Sequence, residues 1–137
     1  MDFTVGDVIA ERTVHVTRES LVRYAGASGD FNPIHYRDDV AAQVGLPGVL
    51  AHGMLTMGIA SSVVVSALHE SGQSDVAKIV DYGVRFTKPV VVDPSDGADV
   101  TVIAKVAAVD DETARIDLKV TSGETTVLAK AQLRVAL

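Results

Sequence analysis

The sequence predicts an α+β domain in which an antiparallel sheet curls around one long, buried helix. Two observations predict it. Residues 53–69 carry apolar side chains nearly all the way round a helical projection, with Met54, Leu55, Met57, Ile59, Ala60, Val63, Val64, Val65, Ala67 and Leu68. A helix that is apolar on every side is buried rather than laid on a surface. From Lys78 onward the apolar period becomes two, through four successive runs parted by tight turn signals; such strands form an antiparallel meander with one greasy face. A sheet with one apolar face and a helix without a polar one complete each other. One domain over residues 1–137 holds both, and a chain near this length buries roughly 70% of its unfolded surface.

The elements follow in order. Gly6-Asp7 signals a turn before a strand at 12–16. Thr17 is a helix N-cap, and Glu19 places negative charge in the first turn, where the helix dipole favours it. The helix over 18–27 puts Leu21, Val22 and Ala25 on one face. It ends by Gly29, because Asn32-Pro33 forces extended backbone. A second short helix over 38–44 ends at Gly45. The long helix stops at Gly72, and its three consecutive valines cost helix propensity that burial must offset. In the strands, Val80, Tyr82, Val84 and Phe86 alternate with Asp81, Gly83 and Arg85; Val100, Val102, Ala104 and Val106 follow. Asp110-Asp111-Glu112 turns the chain into Ile116, Leu118 and Val120, and Ser122-Gly123-Glu124 into Val127, Ala129, Ala131, Leu133 and Val135.

Composition excludes several functions. The chain is 47% hydrophobic and 22% charged, with only three Tyr and three Phe, so Val, Ala, Leu and Ile must build the core. It has no cysteine, which removes disulfides, thiolate nucleophiles and cysteine-based metal sites. A net charge of −6 argues against nucleic acid, whose affinity rests on cations neutralising phosphates. The opening MDFTVGD lacks the basic start and apolar run of a signal peptide, so a cytoplasmic location is expected. Residues 40–69 hold no formal charge, but the apolar part, 54–68, falls short of the about 20 residues a crossing needs and carries Thr56, Ser61, Ser62 and Ser66. No membrane span is expected.

The chemistry lies in residues 24–35, Tyr-Ala-Gly-Ala-Ser-Gly-Asp-Phe-Asn-Pro-Ile-His. Asp30, Asn32 and His35 fall within six residues on a turn stiffened by Pro33. A carboxylate and a neutral imidazole can hold one water between them, one taking a proton while the other steers or returns it. Residues alone leave open a plainer reading, an Asx turn that caps two helices. Ala51-His52-Gly53-Met54 opens the long helix, whose first amides are unpaired and electropositive. Such an amide suits an oxygen gaining negative charge, and Gly53 allows close approach. His52 is expected to serve the helix start or to support the neighbouring site residues rather than react, and His15 and His69 to be surface groups. No two histidines have helical metal-ligand spacing, and no metal is expected.

At these motifs the sequence resembles the MaoC-like, (R)-specific enoyl-thioester hydratase family. Within it, the likeness is to catalytic subunits of the type II fatty-acid synthase (3R)-hydroxyacyl-ACP dehydratase. Gly-Asp-x-Asn-Pro-x-His is intact at residues 29–35, as is Ala51-His52-Gly53-Met54. The resemblance implies a hot-dog fold, without a cofactor, and reversible hydration of trans-2-enoyl thioesters on acyl-ACP or acyl-CoA. It implies that Asp30 and His35 bind the water, that the Gly53 amide receives the thioester oxygen, and that Asn32 orients the pair. Ser28 and Ser62 are weaker supporting candidates. It further implies a homodimer, or a heterodimer with a related hot-dog subunit. Arg37, Arg85, Lys88, Lys130 and Arg134 are available to an acidic carrier. A non-catalytic hot-dog subunit or an acyl-CoA thioesterase are the alternatives; the Asp/His pair argues against the first, and a helix without Asp or Glu over 53–68 against the second. Asp93-Pro-Ser-Asp-Gly departs from the family's short turn.

Overall fold

A computed structural model describes residues 2–72 and 79–137, so the expected onset of the strand pattern at Lys78 lies outside the described residues. The elements are β1 (Val8–Val16), α1 (Arg18–Ser28), a single 3₁₀ turn (Pro33–His35), α2 (Asp38–Gln43), α3 (Gly53–Glu70), β2 (Ile79–Phe86), β3 (Ala98–Val109), β4 (Thr113–Ser122) and β5 (Thr125–Ala136). Thr17 caps α1 as expected. Its side chain accepts from the Ser20 amide while the Ser20 hydroxyl accepts from the Thr17 amide. Gly29 closes the helix at φ 75°, a left-handed conformation that glycine adopts without strain. β1 starts four residues before the expected strand, because a bulge between Val8 and Ala10 breaks the alternation while pairing to β3 continues.

The five strands form one antiparallel sheet in the order β1-β3-β4-β5-β2. The expected four-strand meander is therefore correct only for β3, β4 and β5. β2 pairs with β5 instead of β3. The chain enters α3 from the β1 side of the sheet and leaves it into β2, so placing β2 beyond β5 carries the sheet around the helix. Tyr82 and Val84 on β2 then pack on the core beside Ala60, Val63 and Val64 of α3 and Val102, Ile116 and Leu133 of the sheet. Each such Val, Leu or Ile contributes about 1.5–3 kcal/mol of burial.

The helix expected to be buried on every side is buried on one. Thr56, Ala60, Val63, Val64, Ala67 and Leu68 face the sheet. Met54 is 60% exposed, and Gly58, Ser62 and Ser66 share the open side. The sheet covers the face that carries Thr56, Ala60, Val63, Val64, Ala67 and Leu68, and the exposed residues lie on the other. Among the described residues no helix is long and apolar enough to cross a membrane.

Candidate active site

The loop between α1 and α2 is built from successive Asx turns. Asp30 Oδ1 accepts from the Asn32 amide at 3.1 Å, and Asn32 Oδ1 accepts from the Ile34 amide at 3.3 Å. The plainer reading of this motif, an Asx turn, is therefore present, and it consumes only one carboxylate oxygen. Asp30 Oδ2 faces His35 Nε2 at 3.8 Å. Ser28 supports the same turn, its hydroxyl accepting from the Asp30 amide at 3.1 Å. Asn32 acts through the backbone, as the cap of the 3₁₀ turn that ends in His35.

His35 is buried, and a paired strip of chain holds it. The Leu50 amide donates to the Ile34 carbonyl at 3.1 Å, and His35 Nδ1 lies 2.7 Å from the Leu50 carbonyl. A carbonyl only accepts, so Nδ1 carries a proton, and the neutral tautomer has its lone pair at Nε2. The strip is fixed from behind, since the Ala51 amide donates to Val90 and the Val92 amide to Val49, both at 2.9 Å. Sequence reasoning missed the contact of the Leu50 carbonyl with the imidazole, because a backbone atom leaves no sequence signal.

His52 precedes α3 but makes no side-chain cap bond to it. Instead its Nε2 lies 3.2 Å from the Asp30 carbonyl. Its ring stacks on His35, with centroids 3.8 Å apart and planes 20° from parallel. Tyr24 meets the same ring edge-on at 4.7 Å. Burial pushes the His52 imidazole below its ordinary pKa. Asp30, His35 and His52 bring potential ligand atoms within 4.8 Å of one another. Near-parallel rings aim their in-plane lone pairs side by side rather than at one point, a geometry poorly matched to a tetrahedral cation site.

Gly53 begins α3 and borders a cleft of about 260 Å³. Apolar groups dominate its walls, among them Leu50, Phe86, Val90, Val127 and Leu128, with Thr56, Thr87 and Lys88 as polar members. Asp30 and His35 lie across the 50–53 strip and do not line it. A Cβ on Gly53 would come within 2.9 Å of Phe86 Cε1, so the missing side chain already admits the Phe86 ring. Ser62 is not brought to this cluster. It lies roughly 13 Å further along α3, at about 1.5 Å per residue, exposed and donating to the Ile59 carbonyl. Of the five basic candidates only Lys88 lines the cleft; Asp39 engages Arg37 and Asp110 engages Arg134.

A family model described as a MaoC like domain matches residues 4–128. The 3-hydroxyacyl-thioester dehydratase X of Mycobacterium tuberculosis is 36% identical over 84 residues, which cover 61% of this chain and 27% of that protein. The (R)-specific enoyl-CoA hydratase of Rhodospirillum rubrum is 32% identical over 91 residues, covering 66% of this chain and 60% of that one. A solved MaoC-like dehydratase superposes with a TM-score of 0.87 at 32% identity, over 98% of this chain and 40% of its own. The aligned stretches span 27%, 19% and 25% of three M. tuberculosis relatives, so the chain is far shorter than those proteins. The curled five-stranded sheet around a helix is the hot-dog fold of these neighbours.

Proposed function

Since the chain belongs to the MaoC-like domain family, we propose that it reversibly hydrates trans-2-enoyl thioesters to (3R)-hydroxyacyl thioesters, carried on coenzyme A or acyl carrier protein. The observation that carries this reading is the facing of His35 Nε2 and Asp30 Oδ2 at 3.8 Å, with the second nitrogen and the second oxygen each tied to backbone. A water oxygen about 2.8 Å from both would bridge them at an angle of about 85°. Both groups accept, so the water gives them its two hydrogens and keeps a lone pair for attack.

In hydration the thioester oxygen takes the Gly53 amide, at the electropositive start of α3, and the conjugated alkene is polarised toward C3. Water adds to C3. The pair takes its proton and a proton is delivered to C2, so no net proton is gained or lost; dehydration reverses each step. The Gly53 cleft receives the apolar acyl portion, and Lys88 meets the acidic carrier. At about 260 Å³ the cleft lies just under the usual range for ligand sites, about 300–1,000 Å³. We infer that a second hot-dog domain, identical or related, covers the open side of α3 and encloses Asp30, which is 51% exposed in the single chain.

Hydration of crotonyl-CoA, followed by loss of the conjugated absorbance, tests the proposal. Asp30→Asn keeps an oxygen for the Asn32 amide and so folds as wild type, yet turnover falls at least about 100-fold. Full activity in the pure, folded variant sinks the mechanism. Release of free thiol in the same cuvette would instead identify a thioesterase. Against that outcome stands Glu70, in the last turn of α3, whose carboxylate is engaged by Arg12.

A further inference from the structure

We propose that His52 is a positioning residue that fixes Asp30 and His35 relative to each other, acting as a neutral imidazole with its proton on Nε2. The inference rests on the hydration reading and gives that site a third member with a defined protonation state. His52 is 1% exposed, and it is the side chain that touches both partners of the pair. Its Nε2 donates to the main-chain carbonyl of Asp30 at 3.2 Å, while its face lies on the His35 ring at 3.8 Å between centroids.

The geometry assigns the tautomer. The Asp30 carbonyl can only accept, so the hydrogen sits on Nε2. Nδ1 is then an acceptor, and it is buried with no hydrogen-bond partner among the described residues. A second proton there would create a buried cation without an acceptor, stacked on another imidazole, which is costly. The groups facing the ring are Tyr24 from α1 and Asp30 and His35 from the following loop. Only Asp30 among them carries formal negative charge, and it offers His52 its carbonyl while its carboxylate serves Asn32 and His35.

The need for such a residue follows from where Asp30 lies. It sits on an exposed loop just past a helix end, held locally by turn bonds to Ser28 and Asn32. Those bonds shape the turn without fixing its distance from His35. The bond from His52 does so, because its donor is rooted in the buried Ala51-His52 segment that leads into α3. Displacement of a reacting group by about 1 Å can cost about 100-fold in rate.

Two substitutions separate donor from ring. His52→Phe keeps a stacking ring and loses the donor; kcat falls about 100-fold while KM stays within about threefold. His52→Gln places an amide nitrogen near the Nε2 position, and kcat returns to within about tenfold of wild type. A Phe variant as fast as wild type overturns the inference, as does a Gln variant as slow as the Phe variant. Long-range proton–nitrogen NMR of the wild-type chain needs no variant to fold. It should find His52 with hydrogen on Nε2 alone at neutral pH, and a proton on Nδ1 there overturns the assignment. An inactive wild type sinks the hydration reading and this inference together. An active wild type whose variants break the stated order sinks this inference alone.

Discussion

Replacing His35 by asparagine or by alanine separates what holds the side chain from what it does. The ring is anchored at Nδ1, 2.7 Å from the Leu50 carbonyl, and reaches Asp30 through Nε2. An asparagine amide nitrogen falls about where Nδ1 lies, so His35→Asn keeps the anchor and removes the lone pair. Its cost is the stack on His52, about 0.5–1.5 kcal/mol by the scale of aromatic pairs. His35→Ala loses the stack and also strands the Leu50 carbonyl, a further cost of about 1–3 kcal/mol. Urea unfolding should therefore rank wild type, Asn variant and Ala variant, with about 1–3 kcal/mol between the last two. Crotonyl-CoA hydration should fall at least about 100-fold in both, because neither supplies the proton acceptor. Two results refute this reasoning. An alanine variant as stable as the asparagine variant denies the Leu50 anchor, and an asparagine variant with near wild-type turnover denies the base.

Other expectations follow from single contacts. Lys88→Glu, at the cleft wall, should raise KM for crotonyl-CoA about fivefold at low salt, with the difference shrinking as salt screens it; an unchanged KM removes Lys88 from carrier binding. Burial pushes the Tyr82 phenol up to about 12 from its ordinary 10, and its hydroxyl donates to the Met57 carbonyl at 2.7 Å. Its neutral form stabilises the fold fully below the unfolded value of about 10, and this is lost as pH rises through the folded value of about 12. Unfolding midpoints of wild type should thus drop more steeply between pH 10 and pH 12 than those of Tyr82→Phe; parallel curves would contradict it. Thr17→Ala removes the hydroxyl that accepts from the Ser20 amide, leaves the backbone amide at 17 bonded to the Ser20 hydroxyl, and should cost about 1 kcal/mol in urea unfolding, while turnover of the folded protein stays unchanged.

What the sequence reveals here depends on how local the cause is. The α1 start, the Gly29 stop and the bend at Asn32-Pro33 were legible because each is set by groups within about four residues. The facing of Asp30 and His35 was legible as chemistry, since an acid and an imidazole on one stiff turn have few ways to lie. The Leu50 carbonyl that fixes the imidazole tautomer was not, and neither was the Phe86 ring over Gly53; both contacts join distant segments, one through a backbone atom. His52 was expected either to serve the helix start or to support the site, and its sequence position could not choose between them. The fold turns that ring back to the Asp30 carbonyl, a partner 22 residues earlier in the chain. Strand periodicity identified the four later strands but not their order, because alternation records which face is buried and nothing about the neighbour. β2 pairing beyond β5 is a consequence of wrapping α3, not of any signal within β2.

The long helix shows how a correct local inference yields an incomplete global one. Its apolar residues leave only the stripe of Gly58, Ser62 and Ser66 uncovered, and a helix of that kind is stable when most of its surface is covered. The sheet of one chain covers one side, leaving Met54 60% exposed at the turn that begins with Gly53. Apolarity in a sequence reports burial in the assembled state and is blind to which chain supplies the cover. The same incompleteness appears at the site, where Asp30 is 51% exposed and the neighbouring cleft is small. A carboxylate and imidazole activating water gain most where bulk solvent is excluded, since the field of the α3 amides is stronger in a low dielectric. Under the proposed assembly one event, the docking of a second hot-dog domain on the open side of α3, would bury the exposed apolar turn and dry the catalytic pair together. Stability and catalysis would then share one dependence on protein concentration, so dilution that separates the subunits should lower unfolding midpoint and turnover in parallel. Turnover per chain that stays constant through dissociation, measured by light scattering on the same samples, would detach the chemistry from the assembly.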